Sequence, residues 1–244
     1  EEDENEDDAS FSNEKKKSIY IFAVAALGLA GGYAIMQMNT MREEKKNLKT
    51  QKVSYTGKAD IGGPWKLQDM EGNTVTHKDL KGYYYLIYFG FCNCPDICPL
   101  SLQKVSKALE HIRKMPEYRY IRLKTLFVSV DPDRDTPKRM KKFLSYFDKS
   151  IIGLTGKSND DPDLKNMMKR FRIYASKIEL DENPRKPGEK KPYTLDHTII
   201  TYLMDDSNNY LTHLGSNLSD RDMASIIVDA VLQNERAKAK GERD

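Results

Sequence analysis

All three cysteines of the chain lie within seven residues, at Cys92, Cys94 and Cys98. A disulfide-stapled secreted domain spreads its cysteines along the sequence, so this clustering indicates a chemical site. Cys94 and Cys98 have the spacing of one helical turn, so both sulfurs could reach one ion or each other. Pro99 suits the first turn of a helix, where free N–H groups and the helix dipole lower a thiol pKa. We therefore expect reactive thiols.

Two thiols at this spacing are compatible with more than one chemistry. Without further cysteines they do not complete a four-ligand structural zinc site or an iron–sulfur site. They suit a soft, low-coordinate ion such as Cu(I), particularly with one imidazole added. The same pair could act as a thiol–disulfide oxidoreductase, although its spacing is one residue longer than that of Cys-x-x-Cys enzymes. The residues alone leave both hypotheses open.

A third ligand would come from one of the four histidines. The best candidate is His197, which we expect to open a strand just after a charged, Pro-rich and mobile loop at 181–192. The neighbouring Asp196 is a candidate to orient the imidazole ring. The remaining histidines, expected to be solvated or hydrogen-bonded, are His77, His111 and His213.

Hydrophobic patterns place the cysteines in a domain of alternating strands and helices. Residues 83–89 and 123–130 are rich in aromatic and β-branched side chains, as in strands buried on both faces. Residues 100–115 have the apolar spacing of an amphipathic helix. The other predicted elements are a hairpin near 61–73, helices at 137 onwards, 160–170 and 218–234, and strands at 151–154, 198–203 and 210–214. This order predicts an α/β, thioredoxin-like domain with its thiols where the first long strand meets its helix.

The N-terminal part of the chain differs in composition from the rest. Residues 18–41 contain no charged side chain and are long enough to cross a bilayer, which takes about 20 residues. We predict one transmembrane helix there, because the segment is long for a signal peptide and lacks an Ala-x-Ala cleavage site. Lysines and arginines flank both sides, so charge does not assign the orientation. The other predicted parts are an acidic disordered tail at 1–17, a polar stalk at 42–60, the thioredoxin-like domain at 61–236 and a C-terminal tail at 237–244.

The overall charge excludes one class of partner. The net charge is +3 with 32% charged residues, so no broad basic face indicates nucleic-acid binding. The membrane is the partner that the apolar segment predicts. The sequence carries no signal for an oligomeric state.

Four segments together resemble the Sco family of copper chaperones for cytochrome c oxidase assembly. They are YFGFCNCPDICP at 88–99, FVSVDPDRDTP at 127–137, GLTG at 153–156 and LDHT at 195–198. The resemblance runs in order from about residue 62 to residue 231. It implies that Cys94, Cys98 and His197 hold copper. Asp131 matches an acidic position near the site, and Cys92 stands where the family more often has Ser or Thr.

The resemblance also implies a location and partners. The thioredoxin-like domain would lie in the mitochondrial intermembrane space, anchored in the inner membrane, with the periplasmic side of a bacterial inner membrane as the alternative. Copper would pass from an upstream donor to the binuclear centre of cytochrome c oxidase subunit II, with assembly factors as further partners.

We therefore expect a copper metallochaperone that releases its ion by ligand exchange. Two alternatives stay open, namely a thiol–disulfide oxidoreductase acting on the acceptor's cysteines and a stably bound accessory subunit of the oxidase. Cys92 is a spare soft ligand, a disulfide competitor or a buried strand-end thiol. For Asp131, the alternative to a supporting role is a solvated turn carboxylate that caps the next helix.

Overall fold

The computed structural model describes residues 31–33, 35–39, 60–180 and 192–241. The chain divides into two units, Glu1–Lys58 and Ala59–Asp244. In the first unit, residues 31–33 and 35–39 are helical and exposed. Among the described residues, we find no helix with the length and apolar character needed to span a membrane. The tail predicted at 1–17, most of the helix predicted at 18–41, the stalk up to residue 59 and the loop at 181–191 lie outside the described residues.

A seven-stranded sheet forms the framework of the second unit. Its strands are β1 (Lys66–Asp69), β2 (Thr74–Thr76), β3 (Tyr84–Gly90), β4 (Leu123–Ser129), β5 (Ile151–Thr155), β8 (Ile200–Met204) and β9 (Tyr210–Gly215). They are ordered β2-β1-β5-β4-β3-β8-β9. The three central strands β3, β4 and β5 are parallel, and the flanking pairs are antiparallel. A separate antiparallel ribbon contains β6 (Ala175–Glu179) and β7 (Tyr193–His197).

Four helices connect and cover the strands. They are α1 (Ile97–Lys114), α2 (Pro137–Leu144), α3 (Pro162–Arg170) and α4 (Asp220–Ala239), and short 3-10 turns occupy His77–Leu80 and Pro116–Tyr120. The starts of three helices are fixed by side chains that accept a backbone N–H bond, those of Thr136, Asp161 and Ser219. Proline follows the first two of these caps, where its missing N–H costs no helical hydrogen bond.

The buried side chains of β3 divide the interior into two clusters. Every residue of this strand is buried, as its aromatic composition predicts. Tyr85, Ile87 and Phe89 face a cluster that includes residues of α2 and α3. Tyr84 and Leu86 face a second cluster formed largely by α1 and α4. Because successive side chains of a strand point to opposite faces, β3 is the central strand of an α/β sandwich.

This arrangement is the predicted thioredoxin-like α/β fold, with three local differences. Helix α1 begins at Ile97 rather than at residue 100, and α4 continues to Ala239, past the predicted domain end at 236. The β6–β7 ribbon was not predicted, and His197 ends β7 instead of opening a strand. Exposed, charged positions in the ribbon weaken its apolar alternation, so the local pattern gave little strand signal.

Candidate metal centre

Cys94 and Cys98 lie on either side of the start of α1. Strand β3 ends at Gly90, and a turn leads to Ile97, the first residue of the helix. Only Cys98 is helical, while Cys94 lies in the preceding turn. The backbone N–H of Cys98 donates to the Cys94 sulfur across 3.3 Å. The free N–H groups of a helix N-terminus favour negative charge, so this position stabilises a Cys94 thiolate.

His197 reaches the same place from the end of β7. Its Nε2 lies 3.2 Å from the Cys98 sulfur, and its side chain is buried. The imidazole packs edge-on against the rings of Phe91 and Tyr88, with centroids 5.6 and 6.4 Å away. The ligand atoms of the two cysteines and His197 all lie within 4.8 Å of one another. The structure therefore gathers these three predicted residues into one group.

The second ring nitrogen of His197 has a different partner from Asp196, the residue that the sequence predicted would orient the ring. Nδ1 lies 3.0 Å from the carbonyl oxygen of Thr198, a neutral partner that fixes the orientation of the ring. Asp196 itself is exposed. Neighbouring residues of a strand point to opposite faces, so the buried ring and the adjacent carboxylate lie on opposite sides of β7.

The two thiols of the group have opposite electrostatic environments. The hydrogen bond with Cys98 lowers the pKa of the Cys94 thiol to about 3, assisted by His197 and by backbone N–H groups, and opposed by burial. The same hydrogen bond, together with burial, raises the pKa of Cys98. Two adjacent sulfurs cannot both ionise easily in a buried site. The proton therefore stays on Cys98, and the partly exposed Cys94 carries the negative charge.

Cys92 lies outside the three-residue group. Its backbone N–H donates to Oδ2 of Asp135 across 2.9 Å, and its half-buried thiol has a pKa raised by burial and by the Asp135 carboxylate. Asp135 is fully buried and also accepts a hydrogen bond from Ser129. Asp135 was not predicted from the sequence, because the DPDRD segment offers three similar carboxylates and no local pattern distinguishes the buried ones.

Asp131 is buried beside the site but belongs to a different network. Its carboxylate pairs with Arg134 and accepts hydrogen bonds from the Tyr193 hydroxyl at 2.7 Å and the Asn159 amide at 3.2 Å. It is neither solvated nor the cap of α2, which is Thr136. Asp131 is therefore linked through Tyr193 and Arg134 to β7, the strand that carries His197.

Arg134 and Tyr193 also contribute to this region, although no sequence pattern predicted them. Arg134 donates to the Tyr193 carbonyl oxygen across 2.6 Å, and its guanidinium lies 3.5 Å from the centroid of the Tyr193 ring. Tyr193 is the first residue of the strand that ends at His197. The Asp131, Arg134 and Tyr193 network therefore ties the loop after β4 to the strand that carries the imidazole.

The other histidines have the bonded structural roles that were predicted. Each contacts a polar group away from the thiols: His77 the backbone N–H of Trp65, His111 the Asp220 carboxylate, and His213 the Tyr210 hydroxyl. None of them belongs to the group that could hold a metal ion.

Comparisons with known proteins agree with this geometry. The SCO1/SenC family model matches residues 53–232. The chain is 40% identical over 224 residues to the mitochondrial protein SCO1 of Saccharomyces cerevisiae, covering 88% of this chain and 71% of that protein. A crystal structure of yeast Sco1 with copper bound matches with a TM-score of 0.62 and 38% identity, covering 76% of this chain and 96% of the other.

A second solved structure shows the same likeness. Copper-bound ScoI of Arabidopsis thaliana matches with a TM-score of 0.61 and 33% identity, covering 71% of this chain and 99% of that one. The family model covers well over half of the sequence, and the matched region contains the two cysteines and the histidine. The chain belongs to the SCO1/SenC family.

Proposed function

We propose that this protein is a copper chaperone that binds Cu(I) through Cys94, Cys98 and His197 and delivers it to the binuclear copper centre of cytochrome c oxidase subunit II. The observation that carries the proposal is the convergence of two sulfurs and one imidazole nitrogen within 4.8 Å. The copper-bound structures of the related yeast and A. thaliana proteins support the same cargo here.

The chemistry of the donor atoms fits this cargo. Thiolates are soft ligands that select Cu(I), and imidazole is also a suitable copper ligand. The group contains three residues, whereas a closed zinc site takes four ligands. Asp131, the nearest acidic candidate from the sequence, is already held by Arg134 and Tyr193. In this role the site requires both cysteines to be reduced, and binding of the ion releases the proton of Cys98.

The two cysteines differ in exposure, and this difference sets the order in which the copper ligands are replaced during transfer. Cys98 is fully buried, whereas Cys94 is partly exposed. An incoming thiolate of the acceptor would form its bond to Cu(I) at the exposed side, and Cys94 would leave as a thiolate. The copper keeps its oxidation state throughout, so ligand exchange needs no electron donor. Cys98 and His197 would then be replaced in turn.

The same proposal includes the subcellular location of the protein and the roles of the parts of its chain. A helix at 18–41 anchors the protein in the mitochondrial inner membrane, between the acidic tail at 1–17 and the stalk at 42–60. The domain at 61–236 faces the intermembrane space, where it meets an upstream copper donor, assembly factors and the oxidase. Support comes from the apolar segment in the sequence and from the mitochondrial location of the related yeast SCO1 protein.

The test is copper binding by the full chain in detergent under reducing conditions. Cys94→Ser, Cys98→Ser and His197→Ala should each lose stable stoichiometric copper, measured by elemental analysis after dialysis against a Cu(I) chelator. Cys92→Ser is the matched control, because it removes a nearby thiol outside the three-residue group and should bind copper as the parent chain does. Full copper retention in the variant lacking all three side chains would overturn the assignment.

A second function is favoured by the paired thiols themselves. A Cys94 thiolate hydrogen-bonded to a protonated Cys98 is the arrangement in which one sulfur attacks a disulfide and the other resolves the mixed disulfide. The protein could thereby reduce the acceptor's cysteines before copper transfer, its own pair becoming oxidised. Exchange of the reduced, metal-free protein with an oxidised subunit II copper domain, followed by mass spectrometry, tests this reductase role. No mixed disulfide from a Cys98→Ser variant would exclude it.

A further inference from the structure

An open groove of about 610 Å³ lies along helix α2, and Cys92 is one of its lining residues. Four cationic side chains line it, those of Arg134, Lys138, Arg139 and Lys142, and none of the described lining residues is acidic. We call this feature the basic groove. Its charge is local, because the whole chain carries a net charge of only +3.

Three of these cations have no counter-charge among the residues that the structure describes. They are Lys138, Arg139 and Lys142, which form no ion pair in the described ranges. Their neighbour Lys141 does, with Glu71 at 2.8 Å. Arg134 is paired with the buried Asp131, but its Nη2 is buried without a hydrogen-bond partner. The positive charge that faces the basic groove is therefore not neutralised within this part of the chain.

The cations in the first turn of α2 oppose the helix dipole, whereas Lys142 lies in the last turn, where the dipole favours a cation. The positive end of a helix dipole favours acidic residues in the first turn, yet the first turn of α2 contains no acid and begins Pro137-Lys138-Arg139. Lys138 and Lys142 are also four residues apart, where like charges repel. Because neither feature stabilises the fold, we attribute them to contact with a negatively charged ligand.

The basic groove adjoins the residues that precede the metal group. Cys92 lines the groove, and Arg139 donates a hydrogen bond to the side chain of Asn93, the residue between Cys92 and Cys94. Phe143 and Tyr146 supply aromatic surface in the same groove, and the Tyr146 side chain is 73% exposed. A ligand in the groove would thus contact cations, aromatic rings and Cys92, which precedes the partly exposed Cys94 by two residues.

We propose that the basic groove docks an acidic segment of the protein that exchanges copper with Cys94 and Cys98. Carboxylates of the segment pair with Lys138, Arg139 and Lys142, and an aromatic or apolar side chain packs on Phe143 and Tyr146. A concave, partly aromatic surface fits a polypeptide segment better than a flat bilayer. The docking rests on the groove alone, and the identity of the partner as a copper-exchanging protein rests on the proposed function.

The test uses the full chain in a neutral detergent at physiological ionic strength, where distant charges are screened. The probe is a fluorescent peptide of Asp and Glu residues around one Trp, with a second peptide in which Asn and Gln replace the acids. The double variant Lys138→Glu with Lys142→Glu is compared with Lys107→Glu with Lys169→Glu. The control pair causes the same change in net charge at exposed positions outside the groove. Arg139 is left unchanged because it contacts Asn93.

We expect the groove variant to bind the acidic peptide at least about tenfold more weakly, as for loss of close charge pairs, while the control stays within about twofold. Copper stoichiometry should not change in either variant. The unfolding midpoint of the groove variant should stay close to that of the parent, because Lys138→Glu places a favourable acid in the first turn of α2 while Lys142→Glu places an unfavourable one in the last turn. Equal weakening by both pairs, or equal binding of the uncharged peptide, would overturn the proposal.

Two further measurements separate this proposal from its alternatives. A short-chain, monomeric phosphatidylglycerol replaces the peptide in a parallel assay, and loss of lipid binding with unchanged peptide binding would assign the groove to a lipid headgroup and overturn the proposal. The Cys94→Ser variant is tested for binding of copper and of the acidic peptide. If it keeps copper but the parent binds the peptide through the groove, the proposed copper site fails and the docking surface stands.

Discussion

The sulfur of Cys98 lies 3.2 Å from Nε2 of His197, although 99 positions separate the two residues in the sequence. Cys98 is held by helix α1, whereas His197 is held by the β6–β7 ribbon, which is not part of the main sheet. The distance therefore depends on how that ribbon is attached to the domain. Two hydrogen bonds contribute to this attachment. Arg134 donates to the Tyr193 carbonyl oxygen, and the Tyr193 hydroxyl donates to Asp131.

Tyr193→Phe should weaken copper binding without touching a ligand. The change removes the hydroxyl that donates to Asp131, and leaves this buried carboxylate with one donor fewer. We expect β7 to be held less firmly and copper affinity to fall by about tenfold, the size typical of lost support for a ligating histidine. Competition with a Cu(I) chelator measures the affinity.

Tyr174→Phe is the control for this experiment, because it removes the hydroxyl of an exposed tyrosine close to the same ribbon. It should leave the affinity unchanged. An unchanged affinity in Tyr193→Phe would show that the Asp131, Arg134 and Tyr193 network does not position His197.

Gly90→Ala should disturb the thiol site through crowding. A Cβ at this position would lie 3.0 Å from the Cys98 sulfur and 2.9 Å from the Tyr88 ring. We expect a loss of stability of about 1–3 kcal/mol, as for overpacked cores, together with weaker copper binding. Urea unfolding and chelator competition measure the two effects.

Gly153→Ala provides the matched control on strand β5 of the same sheet. Its Cβ would meet Met140, Leu144 and Met70 at 2.8 to 2.9 Å, and none of these contacts is a cysteine. It should lower stability by a similar amount and leave copper affinity unchanged. If both variants lose affinity equally, general destabilisation and not displacement of Cys98 is the cause.

Alkylation should distinguish the three cysteines by their pKa values. The pKa of Cys94 is lowered to about 3 by its hydrogen bond with Cys98, whereas those of Cys92 and Cys98 are raised. Only thiolates react readily, so iodoacetamide at pH about 6 should label the reduced, metal-free protein at Cys94 first. Peptide mapping by mass spectrometry identifies the labelled residue. Early labelling of Cys92 in the native protein would contradict the assignment of the thiolate.

The ion pair between Asp148 and Arg113 should make stability depend on acid pH. Arg113 holds the pKa of Asp148 well below its usual range, against the opposing effect of burial. Since the folded pKa is below the unfolded one, the contribution is complete above pH about 4 and is lost as the pH falls through the lower folded value. Asp148→Asn should cost about 1 kcal/mol at neutral pH, because Arg113 is 38% exposed.

Urea unfolding at neutral pH and at pH about 3 measures this dependence. The difference between parent and Asp148→Asn should shrink at the lower pH. Asp160→Asn is the control, because its carboxylate pairs with Lys165 while 91% exposed, and it should have no measurable effect at either pH. A constant difference across the range would mean that Asp148 acts through its shape and not its charge.

Much of the fold follows from local sequence patterns. The aromatic and β-branched run became β3, the second run became β4, and Thr136 with Pro137 began a helix as predicted. These features depend on residues near one another in the chain, where burial and capping leave a periodic signal. The ribbon of β6 and β7 was not predicted because its pairing is not local. Ala175 pairs with His197 across a long sequence separation, which leaves no periodic signal.

The sequence alone determined that Cys94 and Cys98 form a reactive pair beside a helix N-terminus, because their spacing and the following proline are local properties. It also supplied His197 through the family resemblance, while leaving redox and copper chemistry open. Only the tertiary structure decided that His197 touches Cys98, that a carbonyl and not Asp196 holds its second nitrogen, and that Cys92 faces Asp135. These contacts join residues from separate elements, and their distances are set by the packing of the sheet, helix and ribbon.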